Sequence, residues 1–138
     1  MKIVLDTNVL IAAFATRGLC HAVFELCIDQ HEIVVSEHIL KEVAATLEKK
    51  LRLPADVIDD LFQYLRENAF VENVRRPTGK ICRDPSDDWI LALAEQAKAE
   101  YIITGDQDLL ILKAHADIPI IQPRQFWEVL RLKKNAPE

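Results

Sequence analysis

The chain has 138 residues, half of them hydrophobic, and a formal net charge of −5. That length and apolar content suit one domain with a real core and exclude a disordered chain, and the acidic balance argues against a protein that coats nucleic acid. The three cysteines, Cys20, Cys27 and Cys82, are odd in number and form no C-x-x-C pair, which excludes a disulfide framework and a zinc cluster and fits a reducing cytoplasm.

In chain order, Lys2–Leu5 (KIVL) reads as a buried strand. Asp6, Thr7 and Asn8 interrupt it, and Thr7–Thr16 and Cys20–Asp29 read as helices broken at Arg17-Gly18. Glu32–Ser36 (EIVVS) is a second strand. Glu37–Leu51 is a helix with Ile39, Leu40, Val43 and Leu47 on one face. Pro54 opens another helix, to about Asn68, with Val57, Ile58, Leu61, Phe62 and Leu65 on one face. Phe70–Val74 is a short third strand, followed by the basic loop RRPTGKICR. Pro85–Lys98 is a helix, Tyr101–Thr104 (YIIT) a strand and Asp108–His115 a helix. Pro119–Ile121 is the last strand and Pro123–Lys134 the closing helix, with Phe126 and Trp127 as core or partner-surface residues. The longest apolar stretch near the start, Val9–Ala15, is far short of the roughly 20 residues of a membrane span, and Asp6 and Asn8 break any signal-peptide pattern. A cytoplasmic protein with no membrane partner is expected.

Strands alternating with helices predict an α/β fold, a three-layer sandwich around a central parallel sheet of about five strands, in one domain over residues 1–138. In open sheets of this kind ligands bind beyond the carboxyl ends of the strands. Two strands end there in acids: KIVL is followed by Asp6, and YIIT by Asp106 and Asp108. A third acidic group, Asp84, Asp87 and Asp88, opens the helix that leads into YIIT.

Each acid taken alone also reads as a helix cap. DPSDD is the clearest case, with Asp84 at the N-cap, Pro85 at N1, and Asp87 and Asp88 at the positive end of the helix dipole. Together the carboxylates would repel one another, and a divalent cation would relieve that. A carboxylate set selects a hard ion, Mg²⁺ or Mn²⁺, able to activate water against a phosphodiester. His21, His31, His38 and His115 are scattered without metal-ligand spacing and read as surface or helix-edge residues. No P-loop and no dinucleotide fingerprint is present. Trp89 and Tyr101 read as core rather than base-stacking groups.

The stretches VLDTNVLIAAF, SEHILKEV, DPSDDWILALA and YIITGDQDLL occur in an order, across almost the whole chain, that resembles PIN-domain proteins of the VapC-like type usually paired with an antitoxin. The resemblance implies a metal-dependent endoribonuclease, the toxin of a toxin–antitoxin pair, using Mg²⁺ or Mn²⁺. It puts the four acids on Asp6, Glu42, Asp87 and Asp106, with Asp108 assisting and Asp84 or Asp88 as alternatives to Asp87. Glu42 rests on the resemblance alone, since its helix pattern gives it no distinction. Thr7, Asn8 and Thr104 match supporting or substrate-contacting positions. Arg75, Arg76, Lys80 and Arg83 of the basic loop are candidate contacts to an RNA backbone. The partners implied are RNA, a cognate antitoxin and, in some arrangements, a second copy of the chain. The competing expectation is a catalytically silent PIN module that binds RNA or protein.

Overall fold

Three apolar runs make the centre of the sheet: Lys2–Leu5 (β1), Glu32–Ser36 (β2) and Tyr101–Ile103 (β4). Phe70–Glu72 (β3), Ala114–His115 (β5) and Ile118–Ile121 (β6) complete it in the order β3-β2-β1-β4-β6-β5. The computed structural model describes residues 1–75, 77 and 80–135. Every pair is parallel except β5 with β6. Ile3, Val4 and Leu5 of β1, Ile33, Val34 and Val35 of β2 and Ile102 and Ile103 of β4 are all buried, without the polar alternation of a one-sided sheet, because helices cover both faces.

The helices are Thr7–Ala15 (α1), Leu19–Gln30 (α2), Glu37–Lys49 (α3), Ala55–Asn68 (α4), Pro85–Ala97 (α5), Gln107–Leu110 (α6) and Pro123–Asn135 (α7). The face Ile39, Leu40, Val43 and Leu47 of α3 is buried as its spacing requires, and α5 buries Ile90, Leu91, Leu93, Ala94 and Ala97. Phe126 of α7 is fully buried against Tyr101, with ring centroids 5.4 Å apart. Among the described residues no single helix is long and apolar enough to cross a membrane, and α1 and α2 meet at a 101° bend.

The α/β/α architecture is the one expected, with three differences of detail. The sheet has six strands, not about five, and the helix expected over Asp108–His115 is the single turn α6, followed by β5. The reason is a reversal at Ala116 and Asp117, both with positive φ (49° and 65°), which turns β5 into β6 through a two-residue hairpin. The third strand also stops at Glu72 rather than Val74.

From β1 the chain runs outward to β2 and β3 on one side, and β4 and β6 lie on the other. The direction of winding therefore switches between β1 and β4. A crevice forms at such a switch beyond the carboxyl ends of the strands, and Asp6 and Asp106 sit there.

Candidate metal centre

Asp6 leaves the end of β1 in extended conformation, which fits it to cap α1. Its Oδ1 accepts a hydrogen bond from the Val9 N–H at 2.8 Å. Its Oδ2 accepts one from the Thr104 hydroxyl at the end of β4. The same Thr104 oxygen accepts from the Asp106 N–H at 3.0 Å, so one buried hydroxyl ties both strand ends together. Asp106 caps the short α6, its Oδ1 accepting from the Asp108 N–H at 2.9 Å.

The DPSDD stretch divides its work. Asp84 is the N-cap of α5, accepting from the Ser86 N–H at 2.9 Å, with Pro85 in the first turn. Asp88 faces the preceding loop, and its Oδ1 accepts from the N–H groups of Ile81 (3.2 Å) and Cys82 (2.9 Å). Asp87 is left facing the acidic crevice. It is buried, and its Oδ2 has no hydrogen-bond partner. On α3, whose start is fixed by the Ser36 hydroxyl accepting from the Ile39 N–H at 3.1 Å, Glu42 projects to the same place.

The result is a cavity of about 130 Å³ lined by Asp6, Thr7, Asn8, Glu42, Asp84, Asp87 and Asp106, with no Lys or Arg among the described lining residues. Asp108 stands at its side: one carboxylate oxygen from each of Asp87, Asp106 and Asp108 lies within 4.8 Å of the others. A larger open groove of about 530 Å³ lies at the opposite, amino end of β4 and β6, beside Lys98, Tyr101 and Asp117, away from these acids.

The electrostatics follow from burial. Desolvation raises the Asp6 carboxyl above its ordinary range, the Thr104 and Val9 hydrogen bonds oppose the shift, and Asp106 adds repulsion. Asp87 is pushed up to about 7, first by desolvation and then by the charges of Asp106, Asp84, Asp6 and Asp108. A buried carboxylate oxygen with no donor, set among like charges, is the environment a cation satisfies. The donors are all hard oxygens, so the residues fit Mg²⁺ or Mn²⁺.

Of the basic loop, Arg75, Lys80 and Arg83 are exposed; Arg76 lies outside the described residues. Nothing in the residue pattern singles out His38. It is not a free surface histidine: its ring stacks on Trp89 of α5, and its Nε2 lies 3.1 Å from Glu42 Oε1. Trp89 itself is half-buried rather than core.

A family model described as PIN domain matches residues 2–108. The chain belongs to the PIN-domain family. The matched region of this PIN domain takes in Asp6, Glu42, Asp87, Asp106 and Asp108 and ends before the β5–β6 hairpin. Among solved structures, the chain is similar to VapBC2 from Rickettsia felis bound to a DNA fragment from its promoter, with a TM-score of 0.66 and 14% identity over 88% of this chain and 98% of that one. It is also similar to VapC20 of Mycobacterium tuberculosis, a toxin that cleaves the sarcin-ricin loop (TM-score 0.60, 14% identity, 85% and 98% covered). FitAcB from Neisseria gonorrhoeae gives a TM-score of 0.55 and 16% identity, with 88% and 98% covered. At these identities the likeness is one of fold. No curated protein sequence matches the chain significantly.

Proposed function

We propose that this PIN-domain chain is a Mg²⁺- or Mn²⁺-dependent endoribonuclease and the toxin of a toxin–antitoxin pair. The observation that carries the reading is the unpartnered, buried Oδ2 of Asp87 in a cavity shared with Asp6, Glu42 and Asp106. The fold shared with VapC20 and FitAcB supports it further. A silent binding module has no need to keep four carboxylates around one cavity against their mutual repulsion.

In this reading Asp6, Glu42, Asp87 and Asp106 would hold the cation, with Asp108 assisting. When bound, a divalent cation lowers the pKa of water and draws charge from phosphoryl oxygens. The protein's part is preorganisation. Asp6 is held from both sides, by Val9 and Thr104, so it need not reorient. Thr7 and Asn8 line the cavity next to Asp6 and are the proposed contacts to the substrate backbone. Arg75, Lys80 and Arg83, on the loop that enters α5, are the proposed contacts to flanking phosphates. The reading carries with it a one-domain, cytoplasmic protein with an antitoxin partner and a homodimer as its candidate assembly.

The test is cleavage of single-stranded RNA by the wild type and by Asp6→Asn, with Mg²⁺, with Mn²⁺ and with a chelator. The wild type is expected to cleave with either metal and to stop with the chelator, while Asp6→Asn folds but is slower by at least about 10²-fold. Wild-type rates in Asp6→Asn would overturn the assignment. Co-expression with the product of the adjacent reading frame tests the partner, with inhibition of cleavage expected.

A further inference from the structure

The acids of the cavity are not held equally. Asp6 is fixed by two hydrogen bonds, and Asp106 by one from the Asp108 N–H. Glu42 accepts no hydrogen bond among the described residues, and it reaches the cavity from the middle of α3 on a side chain with three rotatable bonds. Its ion-pair partner among the described residues is His38, one turn earlier on the same face of the helix, with Nε2 3.1 Å from Oε1.

An i,i+4 pair on an open surface contributes little, because both side chains wander. The pair His21–Glu25 is of that kind, 3.5 Å apart with the glutamate side chain 60% exposed. His38 and Glu42 are each only 31% exposed. The His38 ring also lies flat on the Trp89 indole, with centroids 4.6 Å apart and planes 11° from parallel. Trp89 stands on α5 two residues after Asp87, and Nε2 of His38 is buried with the Glu42 carboxylate 3.1 Å away and no better-aligned acceptor among the described residues. The ring therefore spans the two helices that carry Glu42 and Asp87.

We propose that His38 is a positioning residue: clamped on Trp89, it holds the Glu42 carboxylate at the cavity and so fixes the spacing of the α3 and α5 acids for a divalent cation. This rests on the cation-binding reading of the cavity. Groups that orient metal ligands from behind govern affinity for the ion as well as rate.

The experiment is calorimetric titration of Mn²⁺ into the wild type, His38→Ala, Glu42→Gln and the double variant, with Asp87→Asn as the control for the cavity. His38→Ala is expected to weaken Mn²⁺ binding by about tenfold and His38→Gln, which keeps an N–H donor, by less. In the Glu42→Gln background the same His38 substitution should change affinity less than about twofold, since its effect runs through Glu42. Trp89→Leu should reproduce part of the His38→Ala loss, and it decides the matter if His38→Ala does not fold. Wild-type affinity in the His38 and Trp89 variants, or an equal loss with and without Glu42, overturns the proposal. Mn²⁺ binding that is absent from the wild type, or undiminished in Asp87→Asn, overturns the cation reading and this proposal with it.

Discussion

The Thr104 hydroxyl donates to Oδ2 of Asp6 across 98 residues of sequence, and the same oxygen accepts the Asp106 N–H. Both neighbours are acids at strand ends, and Thr104 is fully buried. Removing the hydroxyl leaves a buried carboxylate oxygen and a backbone N–H without partners.

Thr104→Val, nearly the same shape, is therefore expected to cost about 1–3 kcal/mol of stability and to slow RNA cleavage, while Thr104→Ser keeps most of both. Urea unfolding and a cleavage assay on the two variants check it. Equal behaviour of Val and Ser would show that the hydroxyl bridge is without consequence.

The raised Asp87 pKa makes a prediction about pH. In the folded protein Asp87 holds its proton up to about 7, whereas in the unfolded chain it releases it near 4. Between these values the native state binds more protons, so metal-free stability falls as pH rises from about 4 to about 7 and levels above that. Asp6, also raised by burial, acts in the same direction. Asp87→Asn should flatten the decline, and so should saturating Mg²⁺ or Mn²⁺. Denaturant midpoints at several pH values, with and without metal, measure it; a metal-free wild type that gains stability over this interval contradicts it.

Asp87 and Asp88 are adjacent but bound to different tasks, and substitution should separate them. Asp88 anchors the N–H groups of Ile81 and Cys82. Asp88→Ala strands both donors and is expected to cost about 1–3 kcal/mol. Asp87→Asn is expected to leave the fold intact above pH 7 and to abolish metal-dependent cleavage. Loss of stability in Asp87→Asn with none in Asp88→Ala would reverse the assignment.

The β5–β6 hairpin turns on Ala116 and Asp117, neither of which favours positive φ as glycine or asparagine does. Replacing the pair with Asn-Gly, by Ala116→Asn and Asp117→Gly, should relieve left-handed strain and raise stability by about 1 kcal/mol. Thermal unfolding reads the change, and cleavage should be unaffected, because the hairpin lies away from the acid cavity.

That hairpin also shows why part of the fold was hidden in the sequence. KIVL, EIVVS and YIIT declare themselves as two-sided strands, and the acids that follow KIVL and YIIT fall on one sheet edge by topology alone. Asp6 was legible as either a cap or a ligand, and its two oxygens divide between the Val9 N–H and Thr104. A reversal built on Ala-Asp carries no turn signal, so Asp108–His115 read as a helix. Glu42 was legible only through the family resemblance, since a glutamate in mid-helix looks like any solvated one. The His38–Trp89 stack joins two helices 51 positions apart, and no periodicity reports such a contact. Within DPSDD, which carboxylate faces the cavity depends on the hydrogen bonds from the Ile81–Cys82 backbone, a tertiary fact.

The exposed cations Arg75, Lys80 and Arg83 lead into the helix that carries Asp87. If they meet RNA phosphates, they do so by releasing counterions, and that leaves a signature in salt dependence rather than in chemistry. Each phosphate contact on a single strand contributes about 0.7 to the slope of log affinity against log salt. The triple alanine variant should therefore bind single-stranded RNA more weakly at low salt and lower the slope by about 2, with the metal-saturated cleavage step itself little changed. Binding is measured with Asp6→Asn, so that the RNA survives the titration. An unchanged slope would mean the loop is solvated and the phosphates are held elsewhere.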